Sequence, residues 1–154
     1  MGFQQILLVI IVVLIVGSAV AVGFEMFLRQ DLSANRSACG ADLQLFLTQI
    51  QQIYKMPEHL GGYSGNLANA DAAEMAARIG WGDEHPLKNA NGSFQISIFA
   101  EENYVEIKGI GHAEHKETRP ALHGRISFPE GLIDLRQTSM PGVEDFADID
   151  LLSP

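Results

Sequence analysis

Apolar residues follow three different rhythms along this 154-residue chain. From Ile6 to Phe24 nineteen residues pass without a charge, and only Gly17, Ser18 and Gly23 interrupt the aliphatic side chains. From Cys39 onward the apolar positions are Leu43, Phe46, Leu47, Ile50, Ile53 and Tyr54, in steps of four, three and one. That is the spacing of one helix face. Asp42, Gln44, Thr48, Gln49, Gln51, Gln52 and Lys55 fall on the other face. No proline lies between Phe3 and Met56, and Pro57 with Gly61-Gly62 stops the pattern. The spacing predicts a helix over residues 3–55, apolar all round in its first half and amphipathic in its second. Gly40 is its weakest point, being the only glycine between Gly23 and Gly61.

The third rhythm belongs to the remaining residues. Leu60 to Asn66 is rich in turn formers. Asn69 to Ile79 reads as a short helix with Asp71 near its start and Gly80 after its end, and Trp81 is expected to pack on the sheet or the long helix. The period then becomes two. Phe94–Ile98, introduced by Asn91-Gly92, and Tyr104–Lys108, with Val105 and Ile107 on one face, alternate as strands around a Glu101–Asn103 turn. In a third strand Leu122, Gly124, Ile126 and Phe128 face inward, with His123, Arg125 and Ser127 opposite. Leu132–Arg136 follows the Pro129–Gly131 turn as a fourth. Residues 109–120 are expected to be a long polar loop in solvent. The acidic tail 144–150, with its interspersed apolar residues, is open to three readings: an edge strand, an arm around a neighbour, or a frayed end. Short connections favour an antiparallel meander, whose apolar face needs a cover. The stripe of Leu43, Phe46, Leu47, Ile50, Ile53 and Tyr54 supplies it. The expected fold is α+β, a long spine helix on a small four-stranded antiparallel sheet, in three segments: residues 1–28, 29–56 and 57–154.

Charge sharpens this division. The net charge is −9, and removing residues 1–28 takes away only Glu25 of the 19 acidic residues, leaving 18 acidic against 10 basic, a balance of −8. No basic face exists to neutralise phosphates, so no nucleic-acid contact is expected. The single cysteine, Cys39, excludes an intrachain disulfide framework and a multi-cysteine zinc site. The best metal candidate is His112-x-x-His115 with Glu114 and Glu117, but its loop composition fixes no common face, and a solvated loop is the simpler reading. No nucleophile elbow, phosphate loop or dinucleotide fingerprint occurs, so no catalytic residue and no cofactor are expected. Asn35-Arg36-Ser37 and Asn91-Gly92-Ser93 match the N-glycosylation pattern.

An apolar run of about 20 residues is long enough to cross a ~30 Å hydrocarbon core as a helix. A cleaved secretory signal would need a basic segment ahead of a shorter core; here no Lys or Arg precedes the run. Ala19-Val20-Ala21 is a weak cut site, so a signal peptide stays open behind a plain membrane anchor and an assembly helix. Gly2-Phe3 directly before the aliphatic stretch, the amphipathic continuation and the small β-rich domain together resemble type IV pilins and pseudopilins. The opening Met-Gly-Phe-Gln-Gln-Ile-Leu-Leu-Val-Ile-Ile is similar to bacterial pilin-like proteins with a glutamine-rich stub. The detailed resemblance is confined to this N-terminal segment.

The resemblance implies a precursor held in the inner membrane and cut after Gly2, so that Phe3 becomes the new N-terminus. It further implies handling by a pilus assembly machinery and an extracellular helical homopolymer on the cell surface. Leu8, Val12, Ile15, Gly17, Ala21, Gly23 and Glu25 would then lie on the assembly helix. Gly17 with Ala21, and Ala19 with Gly23, are four apart and suit close helix packing. Two features depart from the family: only Met1 precedes Gly2, and the fifth residue after the cut is Leu7 where the family has a glutamate (counted from Met1 it is Gln5). The usual pairing of that glutamate with a neighbour's amino terminus is therefore lacking, and Met1 is open to being retained. Glu25 reads as an interfacial carboxylate or as the partner of a neighbour's amine or of Arg29. The alternatives to a filament subunit are a minor pseudopilin or single-pass membrane-anchored binding domain and, more remotely, a membrane-tethered zinc enzyme using His112 and His115.

Overall fold

The computed structural model describes residues 2–82 and 85–152; Met1, and with it the question of its retention, lies outside them. The fold is α+β: helix α1 (Phe3–Lys55), helix α2 (Ala72–Ala76) and five strands, β1 (Leu87–Lys88), β2 (Gly92–Phe99), β3 (Tyr104–Gly111), β4 (Thr118–Ser127) and β5 (Leu132–Pro141). The chain divides into two compact units, one ending at Asp31 and one beginning at Leu32, so the division falls inside α1. The first unit consists of the N-terminal part of α1.

In the second unit, residues 32–55 of α1 cover one face of the sheet. Cys39, Leu43, Phe46, Leu47, Ile50, Ile53 and Tyr54 are buried with Phe94, Ile96, Val105, Ile107, Leu122 and Ile126 in one apolar cluster. Phe46 meets Trp81 and Phe94 edge to face, at centroid distances of 5.2 and 5.3 Å. Tyr54 stacks on Phe128 at 3.8 Å and donates its hydroxyl hydrogen to the Gly65 carbonyl at 2.7 Å. The helix approaches β4 closely because Gly124 has no side chain: a Cβ there would stand 2.7 Å from Leu47 Cδ1 and 3.2 Å from Leu43 Cδ2. Gly40 does not interrupt α1; it is buried where a Cβ would meet the Gln137 side chain.

The strands run antiparallel in the order β1-β2-β3-β4-β5, each paired with the next. This corrects the expected four strands to five, since Leu87 and Lys88 add a two-residue edge by pairing with Phe94 and Ser93. The expected polar loop over 109–120 is corrected too. β3 continues through Gly111 and β4 begins at Thr118, leaving residues 112–117 as the connection. Gly109 and Gly111 are strand residues that let neighbours close in: a Cβ on Gly109 would lie 2.9 Å from the Phe94 ring, and one on Gly111 2.7 Å from Pro120. β5 likewise runs on to Pro141, five residues past Arg136.

The expected helix over Asn69–Ile79 is shorter, because Asp71 caps it. Its carboxylate accepts from the Ala73 and Glu74 amides at 3.0 and 3.1 Å, so the helix starts at Ala72. A π-helical turn, Ala77–Trp81, then closes over a left-handed Gly80 (φ 92°).

The tail is neither an edge strand nor frayed over residues 143–152: it folds over part of the sheet's second face. Val143 and Ile149 are buried with Ile110 and Ala121, and Met140, Phe146 and Leu151 pack around them. A turn at Phe146–Asp148 carries reciprocal caps, with the Asp145 carboxylate accepting from the Phe146 amide at 2.7 Å and Asp148 accepting from the Asp145 amide at 3.1 Å.

Candidate functional site

The first candidate is the N-terminal unit itself. Phe3 through Phe27 form uninterrupted α-helix whose aliphatic side chains are all solvent-exposed in the single chain; Leu8 is 63%, Val12 48% and Ile15 61% accessible. The helix is long and apolar enough to cross a membrane. Gly2 lies just ahead of it, its carbonyl accepting from the Gln5 amide at 2.9 Å. Gly17, Ala21 and Gly23 are exposed, and a Cβ on either glycine would meet nothing within 4 Å. The helix is regular across Gly17-Ser18, where the Ser18 hydroxyl donates to the Ile15 carbonyl at 2.8 Å. Glu25 accepts from Arg29 one turn later at 2.9 Å, an exposed ion pair within one chain.

His112 and His115 make separate contacts. His112 Nε2 lies 2.9 Å from the Asn89 carbonyl, and the His115 backbone pairs with Thr118. Glu114 is taken by Arg119, which donates to it from Nε at 2.7 Å. Among the described residues no group of three or more His, Cys, Asp or Glu could hold a metal ion. The two glycosylation patterns fall on amides the fold already uses. Asn35 Nδ2 donates to the Asn91 carbonyl at 2.8 Å, and Asn91 Nδ2 to Asp42 at 2.8 Å.

Those contacts correct the placement of Asp42 on an outer helix face. Asp42 Oδ2 accepts from both Asn89 Nδ2 (2.9 Å) and Asn91 Nδ2 (2.8 Å), and Asn35 Oδ1 accepts from the Ala113 amide at 3.2 Å. Two polar residues of α1 thus hold the β1–β2 turn and the loop after β3. Cys39 sits beside them, fully buried, its Sγ donating to the Asn91 carbonyl at 3.1 Å. Burial, with Asp42 nearby, pushes its thiol up to about 11, so the thiolate is suppressed at neutral pH.

The alternation in β4 hides one more group. Alternation places His123 on the face opposite Leu122, and it does lie there; yet it is 1% accessible, because the tail covers it. Nδ1 accepts from the Leu151 amide at 3.3 Å, which fixes the proton of the neutral ring on Nε2. Nε2 lies 3.3 Å from Glu106 Oε2 without hydrogen-bond geometry. Glu106 Oε1 takes two bonds from Arg125, from Nε at 2.9 Å and Nη2 at 2.6 Å. Burial lowers the His123 pKa, against the opposing pull of Glu106. Alternation alone could not reveal this cluster, because its cover comes from residues some 28 positions downstream. His123 and Glu106 are buried, while the Arg125 side chain is one-third exposed. Compared with protein families, with curated proteins and with solved structures, the chain matches none.

Proposed function

We propose that the chain is the structural subunit of an extracellular pilin-like filament that polymerises through its N-terminal apolar helix, and that it is not an enzyme. The observation that carries the reading is the exposure of every aliphatic side chain from Ile6 to Val16 in the single chain, with an apolar window wholly unburied. Each such side chain gains roughly 1.5–3 kcal/mol on leaving water. One face of the sheet is already used by the Leu43–Tyr54 stripe, and the other bears Glu106, Lys108, Arg125 and the tail. The remaining partners are lipid before assembly and the same segment of other copies afterwards. Gly17, Ala21 and Gly23 favour the second step, since small residues let helices approach where water exclusion offers no drive. The inner membrane is the precursor's place, and a pilus assembly machinery its handler. The acidic domains lie at the periphery of such a polymer, where salt screens their repulsion.

The test is extraction of the full chain from its native cells in mild detergent, followed by electron microscopy. Long filaments that survive high salt and dissolve in strong detergent support the proposal. Monomers or small complexes with another envelope protein favour a minor pseudopilin or a single-pass anchored binding domain instead.

A further inference from the structure

The strand order leaves two sheet edges. β1 contributes two residues to one; β5 contributes ten, Leu132–Pro141, to the other. All ten β5 residues pair in unbroken register with β4, and among the described residues no other element donates or accepts a backbone hydrogen bond along β5. Long edges are ordinarily blunted by lysine, a mid-strand proline, a bulge or a covering segment. β5 has no lysine and no bulge, and its only proline is its last residue.

β5 does carry one charge of each sign. Asp134 and Arg136 are both exposed, stand on the same face because they are two apart, and form no salt bridge among the described residues. Arg125, directly across the ladder from Asp134, gives its hydrogen bonds to Glu106 and shares with Asp134 only a charge attraction without an ion-pair contact. We propose that β5 is a self-recognition edge, at which two copies of this chain join their sheets by antiparallel β5–β5 pairing about a two-fold axis through Leu135.

The register follows from charge and face. In an antiparallel pair directly opposed residues share a face. A two-fold axis perpendicular to the sheet keeps the helix-covered faces on one side, so the axis must pass through a residue rather than between two. Centred on Leu135, Asp134 lies opposite Arg136 of the second copy and Arg136 opposite Asp134, giving two cross-strand ion pairs. Ile133 then opposes Gln137, and Leu132 opposes Thr138. Moving the centre to Asp134 or to Arg136 sets like charges directly against each other, which destabilises a sheet. On the helix side, Ser37, Gly40, Ala41 and Gln44 form with Leu135 and Gln137 an open groove, so short side chains leave room for the two Leu135 residues to meet. The pairing is also local in charge: β5 is neutral on a domain that is acidic overall. A two-fold contact closes on itself. It therefore cannot propagate a filament, and in the filament reading it ties subunits of two different filaments together.

The test uses the full chain in excess detergent, which shields the apolar helix and separates this contact from filament growth. Leu135→Cys places the thiol opposite its own copy, at a Cα separation of about 4.5–5.5 Å that a disulfide accepts. Mild oxidation should give a covalent dimer. Leu132→Cys, whose copies stand roughly 20 Å apart in this register at ~3.3 Å per residue, should stay monomeric. Asp134→Arg and Arg136→Asp should each weaken dimerisation about tenfold or more in sedimentation, and an equimolar mixture of the two variants should recover it, because each then faces its complement. Both charges are exposed, so the variants fold even if a cysteine variant does not. Equal cross-linking at 132 and 135, or a mixture that pairs no better than either variant alone, overturns the proposal. Absence of filaments from a mild-detergent extract of the native cells, with the Leu135→Cys dimer still forming in excess detergent, would instead count against the filament reading alone.

Discussion

Helix α1 carries two stretches of aliphatic residues that differ in how they are satisfied. In residues 32–55 the apolar side chains repeat at helical spacing, polar residues fill the opposite face, and the sheet buries the stripe: Leu43, Leu47 and Ile50 are 0% accessible. In residues 6–16 every position is apolar, and each is about half or more exposed in the single chain. One stretch has its partner on the same polypeptide; the other has none among the described residues. A helix that is apolar all round cannot be served by one sheet, because a sheet covers a single stripe. Period as well as hydrophobicity therefore separates the segment that builds the fold from the one proposed to build the filament.

Charge placed on each stretch breaks this comparison most sharply. Ile50→Asp puts an unpaired carboxylate into the core and should cost more than about 4 kcal/mol, enough to leave the domain unfolded by circular dichroism. Val12→Asp should leave the unfolding midpoint of the same domain unchanged while abolishing membrane insertion or polymer formation. If Val12→Asp unfolded the domain, or Ile50→Asp still assembled, the division of labour along α1 would be wrong.

A smaller effect is expected within the folded unit. Glu106→Gln removes the charge that two Arg125 bonds and His123 face. Hydrogen bonds to charged groups contribute roughly 1.5–3 kcal/mol, and Arg125 is one-third exposed, so the loss should be about 2 kcal/mol in denaturant unfolding. A loss below measurement would mean that the cluster is solvated rather than covered by the tail.

Smaller again is the pH response. The folded-state pKa of His123 is below its ordinary 6.5, so the folded chain binds fewer protons than the unfolded one near that pH. Stability is fully present above about 6.5, falls as pH drops through it, and levels off below the folded value. The proton would enter at Nδ1, where the Leu151 amide now donates, so the tail should loosen first. The protection factor of the Leu151 amide, taken against its intrinsic exchange rate, should fall as pH drops from about 7 to about 5, and His123→Gln should flatten that dependence. The Cys39 thiol, raised to about 11, should resist alkylation at pH 8 until the domain is denatured.

Much of the architecture could be read from periodicity. The helix over residues 3–55 and the alternating cores of β2 to β5 carry strong local signals. What escaped reading was set by distant contacts. Gly109 and Gly111 look like loop residues in isolation, yet Phe94 and Pro120 need the space a side chain would occupy. Asp42 looks like a solvent-facing carboxylate until Asn89 and Asn91 converge on it. His123 looks exposed until the tail returns over it. β1 is too short to show any alternation. For the N-terminal apolar segment, sequence and single-chain structure carry the same information, since both display an apolar stretch without a partner among the described residues.

In the proposed filament, residues 6–28 of neighbouring copies form the core of the polymer. The measurement that bears on it most directly is a helical reconstruction of filaments recovered from the native cells, at a resolution that traces the backbone. The expected result is a central bundle of α-helices built from residues 6–28, with the sheet domains outside. A filament in which that segment is cleaved off or lies on the outer surface would contradict it.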